Sequence, residues 1–263
     1  MYYIRYPLSF RQVEDILHER GIDICHETVR FWVERFGSKF AGEIRKNRAG
    51  NHSNWQWHLD EVFVKINGER FYLWRAVDHE GEVLECFVTK RRNKATAKKF
   101  LIKTMRKHGS PKIITTDKLP SYGVALREIG AVDRQLCGSR SNNRCENSHL
   151  PFRRRERAMQ KFKSCAMLQK FTSYHAQIYN HFNHERHLES RQSFKKKRIT
   201  ALTEWFNFCA AWWLTWFAFY ECSSMSDNTK KLSNELNLLS LKQFLQTDYT
   251  KNVCTNPTQR RWR

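Results

Sequence analysis

The chain has 263 residues, room for one large domain or two small ones, and it carries 47 Lys and Arg against 26 Asp and Glu, a formal charge of +21. With 14% aromatic residues, this composition argues against a disordered basic tail and for a folded protein that meets a polyanion, nucleic acid ahead of an anionic membrane surface. Eight cysteines without a Cys-x-x-Cys pair, and no secretory signal in the opening residues, suit reduced thiols in a cytosolic protein.

The first forty residues predict a helix-turn-helix. Ser9 to Gln12 has capping-box form, Val13, Ile16 and Leu17 supply an apolar face, and Gly21 stops the helix. A second helix follows with Val29, Trp32, Val33 and Phe36 at helical spacing, and its other face carries Glu27, Arg30, Phe31, Glu34 and Arg35. Set in a major groove, that face presents Arg30 to a base edge or a phosphate, with Arg35 beside it. An ordinary helical hairpin with a solvated face has the same periodicity, and the basic charge of the chain tips the reading toward DNA. Residues 41–54 are polar and basic without a period, and read as a linker.

From Trp55 the pattern changes to strands. Trp55 to Ile66 is rich in β-branched and aromatic residues, and Asn67-Gly68 is a two-residue hairpin signal. Arg70 to Val77 and Val83 to Val88 complete an antiparallel meander. An amphipathic helix from Lys94 to His108, a short buried strand from Lys112 to Asp117, a helix opened by Pro120 and a fifth strand from Val132 to Cys137 follow. Strands interrupted by helices after a meander predict an α/β fold, a mixed sheet with helices on its faces.

Three carboxylates stand out. Asp60 interrupts a segment that otherwise wants burial, and Asp117 stands at the C-terminal end of a strand, where sites form in such sheets. Glu146 opens a long basic helix, where the helix dipole alone would favour it. Glu61, next to Asp60 on a strand, is expected on the opposite face. Pro151 predicts a kink or a late start of the basic helix. Beyond it, Arg153, Arg154, Arg155, Arg157, Lys161 and Lys163 form a candidate phosphate-binding surface. His181, His184 and His187 drift around a helix and read as part of a packing stripe rather than a zinc site. The apolar run from Trp205 to Tyr220 is short for a membrane span.

The motifs Arg5-Tyr6-Pro7-Leu8-Ser9, His26 to Arg30, Trp57-His58-Leu59-Asp60-Glu61, Tyr72 to Asp78, Thr116-Asp117-Lys118, Asn142 to Glu146 and Phe162-Lys163-Ser164 together resemble the DDE transposases of bacterial insertion sequences, most closely the insertion-sequence-six family. The resemblance implies an RNase H-like, integrase-like catalytic core behind the helix-turn-helix, with Asp60, Asp117 and Glu146 as catalytic and metal-holding residues for Mg²⁺, or Mn²⁺ in its place. It implies double-stranded DNA, as element ends and as target, for a partner. A homo-oligomer on paired ends, a bacterial cytoplasmic and nucleoid location and no membrane go with it.

The corresponding division is residues 1–40 for DNA binding, 41–54 as linker, 55–190 as catalytic core, 191–211 as a basic extension and 212–263 as a tail that resembles nothing in the family. Asp117 and Glu146 are closer in sequence than in the best-known members, and the chain opens inside what longer relatives carry as a full helix. Both chain ends keep a second reading open, a catalytically inactive DNA-binding relic.

Overall fold

The computed structural model describes residues 1–47, 55–117, 119–138, 142–159, 162–184 and 189–223, with side chains to residue 210 in the last segment. Its centre is a five-stranded sheet. Strands β1 (Gln56–Ile66), β2 (Glu69–Asp78) and β3 (Val83–Thr89) form the expected antiparallel meander. Asn67 and Gly68 both take positive φ, 50° and 85°, the mirror-image turn whose twist matches two paired strands. Strand β4 (Ile113–Thr116) runs parallel to β1, and β5 (Gln135–Cys137) parallel to β4, giving the order β3-β2-β1-β4-β5 of an RNase H-like sheet. The fifth strand is shorter than expected: residues 132–134 close a 3-10 turn, because four-residue β4 offers partners only to Gln135, Leu136 and Cys137.

Helices cover both faces. On one, α4 (Lys94–His108) and α5 (Pro120–Glu128) lay Ala97, Phe100, Leu101, Tyr122 and Leu126 over Trp57, Leu59, Trp74 and Ala76, all fully buried. Each such side chain contributes roughly 1.5–3 kcal/mol by leaving water. The other face packs Val64, Leu73, Val77 and Val88 with α1 (Tyr2–Arg5), α2 (Phe10–His18), α3 (His26–Asn47), α6 (Asn143–Ala158) and α7 (Cys165–Phe182). The last helix, α8 (Arg191–Ser223), packs through Ala201 and Trp205.

Helices α2 and α3 form the helix-turn-helix. Ser9 Oγ accepts from the Gln12 N–H and the Gln12 side chain accepts from the Ser9 N–H, the capping box read from sequence. At the other end the Gly21 N–H reaches the His18 carbonyl and the Ile22 N–H the Leu17 carbonyl, with Gly21 at φ +74°. Residues 41–47, expected as linker, continue α3. Buried Ala41 and Ile44 extend the stripe begun by Val29 and Gly37, and polar neighbours hide that period in the sequence.

Helix α6 begins at Asn143 and runs through Pro151, so the late start did not occur. The Pro151 ring removes the amide that would have bonded the Asn147 carbonyl. The tail reading for 212–263 meets a helical backbone through Ser223, and 224–263 lie outside the described residues. Among the described residues no helix is long and apolar enough to cross a membrane.

Candidate active site

The sheet builds the site by running out of strand. β4 pairs with β1 only as far as Leu59 opposite Thr116, so Asp117 leaves the sheet beside Asp60. One oxygen from each of Asp60, Glu61 and Asp117 lies within 4.8 Å of the others, a group able to hold a cation. The expectation that Glu61 stays outside the group is thereby corrected, although the alternation holds: Glu61 meets Tyr122 of α5 on one face and Asp60 meets His149 of α6 on the other. Past Thr116 no neighbouring strand separates the two faces on that side of β1, and a glutamate is long enough to reach round.

Each carboxylate has a partner. Arg92, from the loop between β3 and α4, puts Nε 2.6 Å from Glu61 Oε1 and Nη2 3.9 Å from Asp117 Oδ2. The Tyr122 hydroxyl donates to Glu61 Oε2 at 3.1 Å, and the Leu119 N–H to Asp117 Oδ1 at 3.1 Å. His149 of α6 holds Nε2 3.2 Å from Asp60 Oδ2. Asn142, just ahead of α6, donates from Nδ2 to the Leu59 carbonyl at 2.8 Å, which pins the start of that helix to β1.

Burial sets the protonation of this group. Glu61, 3% exposed, is pushed up to about 7 mainly by burial; Arg92 opposes the shift, and the charges of Asp117 and Asp60 add to it. Asp117 is raised by burial first, with Asp60 adding to it. Burial lowers His149, so its neutral ring can donate an Nε2–H to Asp60.

The other sequence-read residues divide. Glu146 lies exposed in the first turn of α6, outside the group of three, but three residues before His149 and so on the same side of the helix. Arg153 spends its guanidinium on the Glu156 carboxylate and the Phe63 carbonyl, both at 2.6 Å. Arg155, read as a phosphate ligand, is 2% exposed and lies 3.9 Å over the Tyr3 ring, because its turn of α6 faces α1 rather than solvent. Arg30, Arg35, Arg154, Arg157 and Lys163 are exposed, and Lys161 lies outside the described residues. Of the histidine triplet, His181 places Nε2 2.8 Å from the Ala201 carbonyl inside the core, α7 ends before His184, and His187 lies outside the described residues.

Sequence reading missed His149, Arg92, Asn142 and Tyr122. For His149 a signal was available, three residues beyond a glutamate already chosen; Arg92 lay unremarked in a basic run.

A family model described as a DDE domain, of the IS240 transposase type, matches residues 54–185, half of the chain. The chain belongs to the DDE transposase family of the insertion-sequence-six group. Over 128 residues this family member is 35% identical to the transposase for insertion sequence-like element IS431mec of Staphylococcus aureus, covering 49% of the chain and 56% of that relative. The transposase of insertion sequence element IS257 in transposon Tn4003, also from Staphylococcus aureus, is 34% identical over the same shares. The chain thus spans about half the length of the curated transposases it matches. Among solved structures, the HTLV-2 integrase catalytic core domain in complex with magnesium aligns at a TM-score of 0.40 and 14% identity over 55% of this chain and 98% of that one. The BIV integrase catalytic core domain aligns at 0.34 and 16%, over 46% and 83%.

Proposed function

We propose that this DDE family member is a transposase that binds the terminal inverted repeats of an insertion sequence, cleaves the DNA at the 3′ ends and joins those ends to target DNA. The observation that carries the reading is the convergence of Asp60 and Asp117 at the end of β4, inside a family-matched core and beside His149 on the helix that bears Glu146.

All-oxygen donors at this spacing suit a hard cation. In this reading Asp60, Asp117 and Glu146 hold Mg²⁺, with Mn²⁺ as substitute, which when bound supplies stabilisation of charge on the entering and departing oxygens of a phosphodiester. Glu61 is preferred as a supporting carboxylate, since Arg92 and Tyr122 already occupy its oxygens, whereas Glu146 is exposed one turn before His149 on α6. His149 orients Asp60. Arg92 offsets part of the repulsion between Glu61 and Asp117.

Water first opens the phosphodiester at the element end and leaves a 3′-hydroxyl; that hydroxyl then attacks a target phosphodiester and displaces a new 3′-hydroxyl. Arg30 and Arg35 on α3, with Arg154 and Arg157 on α6 and Lys161 and Lys163 after it, would grip the backbone of the element end. Pairing two ends calls for at least two copies of the chain, in the bacterial cytoplasm close to the nucleoid.

A mating-out assay tests this: the reading frame with its native flanking DNA sits on a donor plasmid, and fusions with a target are counted for wild type and Asp117→Asn. Fusions in the wild type alone support a transposase. Equal counts in both remove Asp117 from catalysis.

A further inference from the structure

We propose that the solvent face of α4 is a second DNA track, which holds the backbone of the target duplex; the word target rests on the transposase reading, whereas the track itself does not. Helix α4 carries Lys94, Lys98, Lys99, Lys103, Arg106 and Lys107. Two carboxylates answer them: Glu128 takes Lys94 and Lys98 at 3.6 and 2.9 Å, and Glu85 takes Lys103 and Lys107 at 3.2 and 2.5 Å. Each anion is shared by two lysines, so the face keeps a strong positive excess. Among the described residues Lys99 and Arg106 have no carboxylate partner. With Ile102 and Lys103 they form one stripe at i, i+3, i+4 and i+7, beside exposed Ala95.

Position argues for a duplex of its own. Helix α4 lies on the face of the sheet opposite to α1, α2, α3, α6 and α7, so DNA held by Arg30 on α3 and the arginines of α6 leaves α4 uncovered. Yet the track begins at the active site: Asn93 caps α4, and the residue before it is Arg92, in contact with Glu61 and Asp117. Exposed Arg91 extends the basic surface there. Joining an end to a target needs two DNA molecules to meet at one group of carboxylates, and here the α4 side reaches that group through Arg92 and the α6 side through His149. Fifteen residues of helix measure about 22 Å, the rise of six or so base pairs. Lysines of this kind read phosphate without regard to sequence, which is what a target requires.

The test is binding, so it reads out whether or not the chain transposes. The full chain is titrated against a labelled random-sequence duplex and against a duplex carrying the native element terminus, from about 50 to about 200 mM salt. Wild type is compared with Lys99→Gln plus Arg106→Gln and with the corresponding double Glu variant, each checked for an unchanged melting temperature. Loss of two phosphate contacts lowers the slope of log affinity against log salt by about 2 for the random duplex, with roughly tenfold weaker binding, while the terminus duplex changes less than twofold. An unchanged slope, an equal loss on both duplexes, or a wild type that binds no random duplex would each overturn the track. Repeating the pair in the Asp117→Asn background separates the two questions, since failure of catalysis leaves the binding difference in place.

Discussion

Glu61 keeps the alternation of its strand, facing Tyr122 while Asp60 faces His149, and still joins the carboxylate group at the end of β4. It lies between Arg92 and Tyr122 and within reach of Asp60 and Asp117, and burial lifts it from 4.5 to about 7. An acid raised on folding binds more protons folded than unfolded between those two values. Its favourable contribution is therefore complete below about 4.5 and is lost as the pH climbs to about 7. Metal-free chain should melt at a lower temperature at pH 8 than at pH 5. Glu61→Gln should cancel that part of the difference and raise the pH 8 melting temperature, by about 2–4 °C for each kcal/mol recovered. No gain at pH 8 would mean that Arg92 neutralises the carboxylate fully. His149 belongs to the same scale: its bond to Asp60 Oδ2 fixes a carboxylate from outside, the kind of support whose loss costs about 10–100-fold. His149→Leu should depress strand transfer by that factor and raise the metal concentration needed for half-maximal rate. An unaltered metal requirement would reduce His149 to a packing residue.

At the scale of elements, what could be read from the sequence was whatever a local period or punctuation reveals. The Asn67-Gly68 hairpin, the capping box at Ser9 and the stop at Gly21 are each set by a few adjacent residues and stand where they were read. Contacts across the chain were not legible. Helix α3 extends through residues 41–47 because Ala41 and Ile44 meet a core supplied by distant elements. Asp60 and Asp117 stood out as charges in apolar strands, whereas Arg92 and His149 matter only through the side chains that folding places beside them. Arg155 makes the same point, since one turn of a uniformly basic helix faces inward onto Tyr3. Burial lowers its pKa, and exchange of a buried charge for an apolar side chain of similar length is often neutral or better. Arg155→Met should therefore leave DNA affinity and its salt slope unchanged, with stability within about 1 kcal/mol of wild type or above it. A flattened salt slope would restore Arg155 to the DNA interface.

For the whole molecule, the N-terminal helices and the central sheet share one packed core. Helix α3 meets α7 where Gly37 faces Tyr174, whose ring atoms lie 3.5 Å from where a Cβ would stand. Gly37→Ala should be accepted. Gly37→Leu should force α3 away from α7 and cost about 1–3 kcal/mol, seen as a lower melting temperature together with weaker binding of element ends. A Leu variant with normal stability would show that this contact is dispensable. The proposed chemistry depends on the carboxylates. Strand transfer by purified full-length protein, with precut element ends and Mg²⁺ supplied, measures them most directly in Asp60→Asn, Asp117→Asn, Glu146→Gln and Glu61→Gln. The first three should bind DNA normally and join no ends, while Glu61→Gln keeps measurable joining. Joining by Asp60→Asn or Asp117→Asn would contradict the proposed site, and joining by Glu146→Gln but not by Glu61→Gln would move the third ligand from α6 to β1.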